Sequence, residues 1–266
     1  MRLSLSIQKS VDLITTLSVI LLCLTGIIFL QQPKLQSQQD ILTKAEYLSE
    51  EQTEKLQLNL LKNFPSFGFD NLIANWTYLR FIQYFGDGNA REKTGFSLSG
   101  DYFQAVVDRD PRFVTANLRL ASATSIFAGD PHRSVTLLAE SLKSVSPAIF
   151  TSPYPPYYLW IYKGVDEMLY LGDTEAARAS YEIAAQWAET YNDPASQATA
   201  ARLRETAQFL AKNPQSKVTQ IGAWTMVLST ASDERTIQRA MSEIKALGGE
   251  IIISPDGRLS VQVPEE

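Results

Sequence analysis

The sequence predicts a mainly all-α protein: an N-terminal transmembrane helix, a body of stacked helical hairpins, and a small C-terminal β-hairpin. Three observations carry this. An uncharged apolar run fills residues 13–30. Apolar residues recur at helical spacing around three Gly-Asp pairs, Gly86-Asp87, Gly129-Asp130 and Gly172-Asp173, set 43 residues apart. An apolar run, Ile251-Ile252-Ile253, and an alternating one, Leu259 to Val263, flank Pro255-Asp256-Gly257 near the end.

The bulk properties narrow the field. The chain has 266 residues, 45% hydrophobic and 20% charged, which suits a globular body of one large or two small domains. Its 24 basic and 29 acidic residues give a net charge of -5, the wrong sign for general nucleic-acid binding. One cysteine excludes a disulfide framework and a cysteine-cluster zinc site. One histidine argues against histidine metal chemistry and Ser-His catalysis.

Residues 13–30 read LITTLSVILLCLTGIIFL, 18 residues with 12 Leu, Ile, Val or Phe. Those 12 supply about -4 to -7 kcal/mol toward insertion, and 18 residues reach roughly 27 Å along a helix. A cleaved signal peptide is the rival reading. Arg2 and Lys9 fit its basic start, but the run is long and FLQQPKLQSQQD after it holds no A-x-A-like site. Cys23 follows Leu21-Leu22, without the small residue that lipoprotein processing needs. The reading taken is an uncleaved single-pass anchor. Arg2 and Lys9, partly offset by Asp12, place the N-terminus in the cytoplasm and the body on the periplasmic or lumenal side. That body keeps 22 basic and 28 acidic residues and should not cling to anionic lipid.

The expected organisation is 1–34 tail and anchor, 35–69 juxtamembrane helical linker, 70–230 repeat domain, and 231–266 capping helix plus hairpin. Ser49-Glu50-Glu51-Gln52 has capping-box spacing and opens a helix carrying Leu56, Leu58, Leu60 and Leu61, ending near Phe64-Pro65. Asp70 N-caps the next helix, whose Leu72, Ile73, Trp76, Leu79 and Ile82 form an apolar series. At each Gly-Asp pair, Gly suits the left-handed helix end and Asp the following cap. Residues 196–212 and 216–230 read as two further helices. Asp233 to Leu247 is amphipathic, with Ile237, Ala240, Met241, Ile244 and Leu247 in one stripe. In the hairpin, Leu259, Val261 and Val263 share a face, which must pack on the helices because a lone hairpin is marginal.

The run Gly172-Asp-Thr-Glu-Ala-Ala177-Arg-Ala-Ser-Tyr181-Glu-Ile-Ala184 resembles the second helix of a tetratricopeptide (TPR) repeat. Val135, Ala139, Leu142 and Pro147, then Phe103, Val106 and Pro111, keep parts of that spacing. Trp76 and Leu79 match the first-helix W-x-x-L. The likeness covers residues 70 to about 190 and extends toward 230. It departs from the 34-residue period through added loops such as GNAREKTGFSLSG. Through NLIANWTYLRFIQYFGD and DRDPRF, the layout also resembles the membrane-anchored, single-span TPR-like proteins of cyanobacteria and some other bacteria. That resemblance implies binding and brings no catalytic residue.

No phosphate-loop, dinucleotide, zinc-protease or EF-hand motif is present in the sequence. His132 reads as a turn residue, Lys93-Thr94-Gly95 as a chance triplet, and Asn75-Trp76-Thr77 as a sequon by form alone, with Trp76 packed inward. Asp108-Arg109-Asp110-Pro111-Arg112 reads as a local ion-pair network. An enzyme would need a polar pocket drawn from Asp166, Glu167 and Asp173, but the first two point different ways along a helix. No cofactor or metal is expected. The partner-binding groove, built from the first helix of each pair, would expose Thr77, Phe81 and Tyr84, then Thr115, Leu118 and Ser122, then Tyr158 and Tyr162. Tyr154, Tyr157 and Tyr158 in the Pro-rich loop from Ser152 add rigid contact surface. The expected function is therefore a membrane-tethered scaffold or adaptor that binds a helix or peptide of a protein partner, as in assembly of a membrane complex. The alternative is an intrinsic structural subunit of such a complex.

Overall fold

The computed structural model describes residues 15–29, 42–149, 154–214, 216–231, 234–253 and 259–264. The chain is mainly helical. In order it forms α1 (15–29), α2 (Lys44–Asn63), α3 (Asp70–Gly86), α4 (Gly88–Thr94), α5 (Ser99–Arg109), α6 (Val114–Ala121) and a π-helical segment (Ser122–Phe127). Then come α7 (Pro131–Leu142), α8 (Tyr157–Leu169), α9 (Thr174–Ala188), α10 (Pro194–Lys212), α11 (Lys217–Thr230), α12 (Glu234–Ala246), β1 (Glu250–Ile253) and β2 (Leu259–Gln262). Two compact units divide the chain between Tyr47 and Leu48, inside α2.

In the first unit every described residue of α1 is exposed. Among the described residues no helix is long and apolar enough to cross a membrane. The expected span 13–30 is described over 15–29, and its ends lie outside the described residues. The capping box sits six residues earlier than expected. Thr43 and Glu46 exchange it, Thr43 N donating to Glu46 Oε2 at 2.7 Å and Glu46 N to Thr43 Oγ1 at 3.4 Å. Ser49 lies within the helix.

In the second unit, α3 packs on α5, each helix from α5 to α10 packs on the next, and α11 packs on α12 and α8. The Gly-Asp pairs punctuate this order. Gly129 and Gly172 take the left-handed conformation, φ 73° and 67°. Asp87, Asp130 and Asp173 each accept a first-turn backbone N–H, from Ala90, Arg133 and Ala176 at 3.0–3.1 Å. Gly86 differs, ending α3 within the helix itself. Gly164 lets α8 and α9 close up: a Cβ there would stand 2.7 Å from Tyr181 Cε1.

Two apolar clusters fill the unit. One gathers Leu58, Phe81, Phe103, Leu120, Leu137, Leu138 and Leu159. The other gathers Ile161, Val165, Tyr181, Leu203, Leu210, Ile221, Ala240 and Ile244. Trp160 and Trp187 touch both clusters, edge to face with centroids 6.0 Å apart. The stretch read from sequence as linker thus supplies Leu58 to a core.

The C-terminal expectations of an amphipathic helix and a hairpin are met. Ala240 and Ile244 of α12 are fully buried, with Ile237, Met241 and Leu247 packed beside them. The strands pair antiparallel in the register Glu250↔Gln262 and Ile251↔Val261. Ile251 and Val261 face the second cluster. Val263 falls beyond β2 and is exposed, so it does not extend that face. The Pro255-Asp256-Gly257 turn lies outside the described residues.

Candidate functional site

Helix α3 is apolar on opposite sides. Ala74, Thr77, Phe81 and Tyr84 are buried, with Phe81 2% exposed and its ring 4.6 Å from that of Phe103. Leu72, Trp76, Leu79 and Ile82 point the other way, 46–65% exposed. Spacing alone marks both stripes. The inward one is set by the aromatic cluster it meets: Phe81 touches Tyr102 and Phe103, and Tyr84 touches Tyr102.

Two expectations change here. Trp76, expected to pack inward, is exposed together with Leu72, Leu79 and Ile82, while Ile73 of the same series is half-buried. The groove residues Thr77, Phe81 and Tyr84 are core, and so is Tyr157. Tyr157 stacks on Tyr158 at 4.7 Å, and its hydroxyl lies 3.2 Å from Ser196 Oγ. Leu118, Ser122, Tyr158 and Tyr162 are half-buried, while Thr115 and Tyr154 are exposed. Part of the Pro-rich loop, residues 150–153, lies outside the described residues.

Further large apolar residues are exposed on α2 and on the turn between α2 and α3. Leu56, Leu60, Phe64, Phe67 and Phe69 are 57–81% exposed. With the α3 stripe they make nine large exposed apolar side chains on α2, α3 and the turn between them. An ordinary surface scatters such residues singly. Arg80 ties the two helices at this face. It donates to Gln57 Oε1 at 2.8 Å and Glu54 Oε1 at 3.1 Å, and its guanidinium lies 5.1 Å from the Trp76 ring centre.

Behind the face the hairpin is held by polar contacts. Tyr102 donates to Glu54. Arg91 lies over the Tyr84 ring at 3.6 Å and pairs with Glu51 at 3.8 Å. Burial pushes the Tyr84 hydroxyl up to about 12. Arg109, read as one part of a local ion-pair network, reaches back across the fold. It donates to the carbonyls of Leu61 and Phe64 at 2.6 Å and to Asp70 Oδ1 at 3.0 Å. That charge-assisted bond, with a second from Ser66, holds the Asp70 carboxyl below its usual range. Asp70 is thus the first helical residue and a side-chain clamp, and the N-cap position belongs to Phe69.

A second polar feature lies inside the body. Asp166 and Glu167, adjacent on α8, are both buried and point to different neighbours. Ser125 of the π-helical segment and Ser134 of α7 each donate to Asp166 Oδ2 at 2.6 Å. Lys163 donates to Glu167 Oε1, and Ser180 of α9 to Oε2 at 2.6 Å. Burial pushes the Asp166 carboxyl up to about 7, a rise the two serine bonds partly oppose. The π-helical turn, with Ala128 N on Ala123 O at 3.1 Å, is what sets Ser125 facing α8. Sequence reasoning had named both carboxylates but neither serine. A serine or threonine in a helix is too common to single out.

The carboxylates therefore tie α8 to its two neighbours. Among the described residues no group of three or more His, Cys, Asp or Glu is placed to hold a metal ion. His132 is exposed in the first turn of α7. The chain matches no protein-family model, no curated protein and no solved structure.

Proposed function

We propose that this protein is a membrane-tethered, TPR-like scaffold. It holds an amphipathic helix of a protein partner beside the bilayer during assembly of a membrane complex. The outward stripe Leu72-Trp76-Leu79-Ile82 carries the reading. A helix with a complete core face has no folding reason for a second apolar face, and exposing it costs solubility. The i, i+4, i+7 spacing is that by which one helix grips another.

Three further features support it. The exposed apolar residues of α1 suit the lipid interior, with the body on the periplasmic or lumenal side. The sequential packing and the Gly-Asp caps agree with a TPR-like array. Tethering raises the local concentration of the scaffold near membrane partners without adding contacts.

The test is site-specific photocrosslinking in intact membranes, with the probe at Leu79 or, as control, at Ala201 on the exposed side of α10. The expected product is an adduct from Leu79 alone, mapping to one amphipathic segment of a membrane protein and lost in a Leu72→Asp variant. Substoichiometric, transient recovery marks an assembly scaffold, and fixed stoichiometry marks a structural subunit. Equal labelling from Leu79 and Ala201 removes the proposal. Protease added to sealed vesicles of known side reports the orientation.

A further inference from the structure

The turn between α2 and α3 is built differently from the others. Ser66-Phe67-Gly68-Phe69 holds two left-handed residues, Phe67 at φ 49° and Gly68 at φ 88°. Glycine adopts that conformation freely, but phenylalanine is strained there. The strain has a consequence for shape: Phe67 is 81% exposed and Phe69 63%, with Phe64 beside them at 57%.

The turn is locked from behind. Phe69 N donates to Ser66 O at 2.8 Å, and Ser66 Oγ to Asp70 Oδ2 at 2.8 Å. Arg109, itself mostly buried, grips Leu61 O, Phe64 O and Asp70. Seven tethered backbone positions, 64–70, thus project three phenyl rings into solvent, and no residue from 64 to 69 is charged. The one carboxylate at the edge, Asp70, is neutralised by Arg109.

We infer that this turn is a preorganised lipid-insertion tip, with Phe67 and Phe69 entering the acyl boundary of a bilayer. The inference rests on the proposed reading of the 13–30 segment as a membrane anchor. The chemistry selects lipid. A convex, uncharged phenyl tip needs no matching pocket in a partner. The acidic excess of the body does not oppose a contact that uses no charge. Trp76 with Arg80 over its ring, one turn beyond Leu72, has the amphipathic character of residues at a headgroup boundary.

The test is spin-label accessibility on the full chain in phosphatidylcholine vesicles. Cys23, the sole cysteine, reports on the anchor. In a Cys23→Ser background, separate Phe67→Cys and Phe69→Cys variants report on the tip, and Ala201→Cys is the aqueous control. The second tip position has ordinary φ and guards against local misfolding at the first. The expected result is that oxygen collides more often than a polar nickel complex at Cys23 and at both tip labels, with the reverse at Ala201→Cys. Depth at the tip should be unchanged when a third of the lipid is anionic. Nickel access at both tip labels equal to that of the control, with Cys23 still lipid-exposed, overturns the tip and leaves the anchor. Nickel access at Cys23 as well overturns both. Tip labels shielded from both colliders place the turn in a protein contact, and spin–spin broadening there identifies a second copy. Either outcome overturns the lipid assignment.

Discussion

The buried Asp166 carboxyl should make this protein more stable in mild acid than at neutral pH. Its folded-state value of about 7 stands above the ordinary 3.8 because burial penalises the charged form. The unfolded chain, with its carboxyl in water, releases the proton near pH 4. Between those limits the folded state binds more protons than the unfolded state. Stability therefore falls as pH rises through that window and levels off above it. The full span corresponds to about 4 kcal/mol, of which about 2 to 3 kcal/mol falls between pH 5 and pH 8. The carboxyls held low, Asp70 and Asp193 among them, act in the opposite direction. Their effect lies below pH 4, where the unfolded chain also becomes protonated, so it leaves the window to Asp166.

The assay is urea unfolding of the full chain in neutral detergent micelles at pH 5, 6, 7 and 8, followed by circular dichroism at constant slope. The partner variant is Asp166→Asn, which keeps an acceptor for Ser125 and Ser134 and cannot ionise. The wild type should lose stability stepwise toward pH 8, and the variant should be flat and the more stable of the two at pH 8. Asp166→Ala makes a poor substitute, since it leaves two buried hydroxyls without their acceptor. A wild type flat from pH 5 to 8 would refute the reasoning. So would an Asp166→Asn protein with the same slope, because some other group would then carry the dependence.

Three further outcomes follow from the packing. Gly164→Ala should cost about 1–3 kcal/mol, because the added methyl meets the Tyr181 ring; the cost should shrink in a Tyr181→Ala background, as a double-mutant cycle by chemical denaturation would report. Arg109→Ala should cost about 2–3 kcal/mol through two lost charged bonds to carbonyls, and amide exchange at 67–70 should accelerate while that of α8 does not. Leu79→Asp should change stability by no more than about 0.5 kcal/mol, whereas Phe81→Ala should cost about 3–5 kcal/mol. A larger cost for Leu79→Asp than for Phe81→Ala would mean that α3 is turned the other way.

Much of the fold was legible because its signals are local. A Gly-Asp pair ends one helix and caps the next through atoms a few residues apart, so the residues themselves carry the message. Asp87, Asp130 and Asp173 duly accept their first-turn N–H groups. The stripe of α12 needed no partner to be read either, since its other face is polar. The π-helical segment at Ser122–Phe127 was not legible. Its unusual hydrogen bonds answer to a carboxylate about 40 residues away, and SATSIF has no local feature that separates it from an ordinary helical turn.

Helix α3 shows where periodicity stops informing. A 3.6-residue repeat tells that a stripe exists, and it tells which way the stripe faces only if the opposite side is polar. Leu72-Trp76-Leu79 and Ala74-Phe81-Tyr84 both satisfy the repeat. The decision was made elsewhere, by Tyr102 and Phe103 on α5, which offer rings for Phe81 and Tyr84 to meet. Thr77, Phe81 and Tyr84, expected to line a groove, are core for the same reason. A helix apolar on two opposite sides is thus a candidate for a docking face. The repeat marks the helix, while the residues that bind are known only once its neighbours have claimed one side.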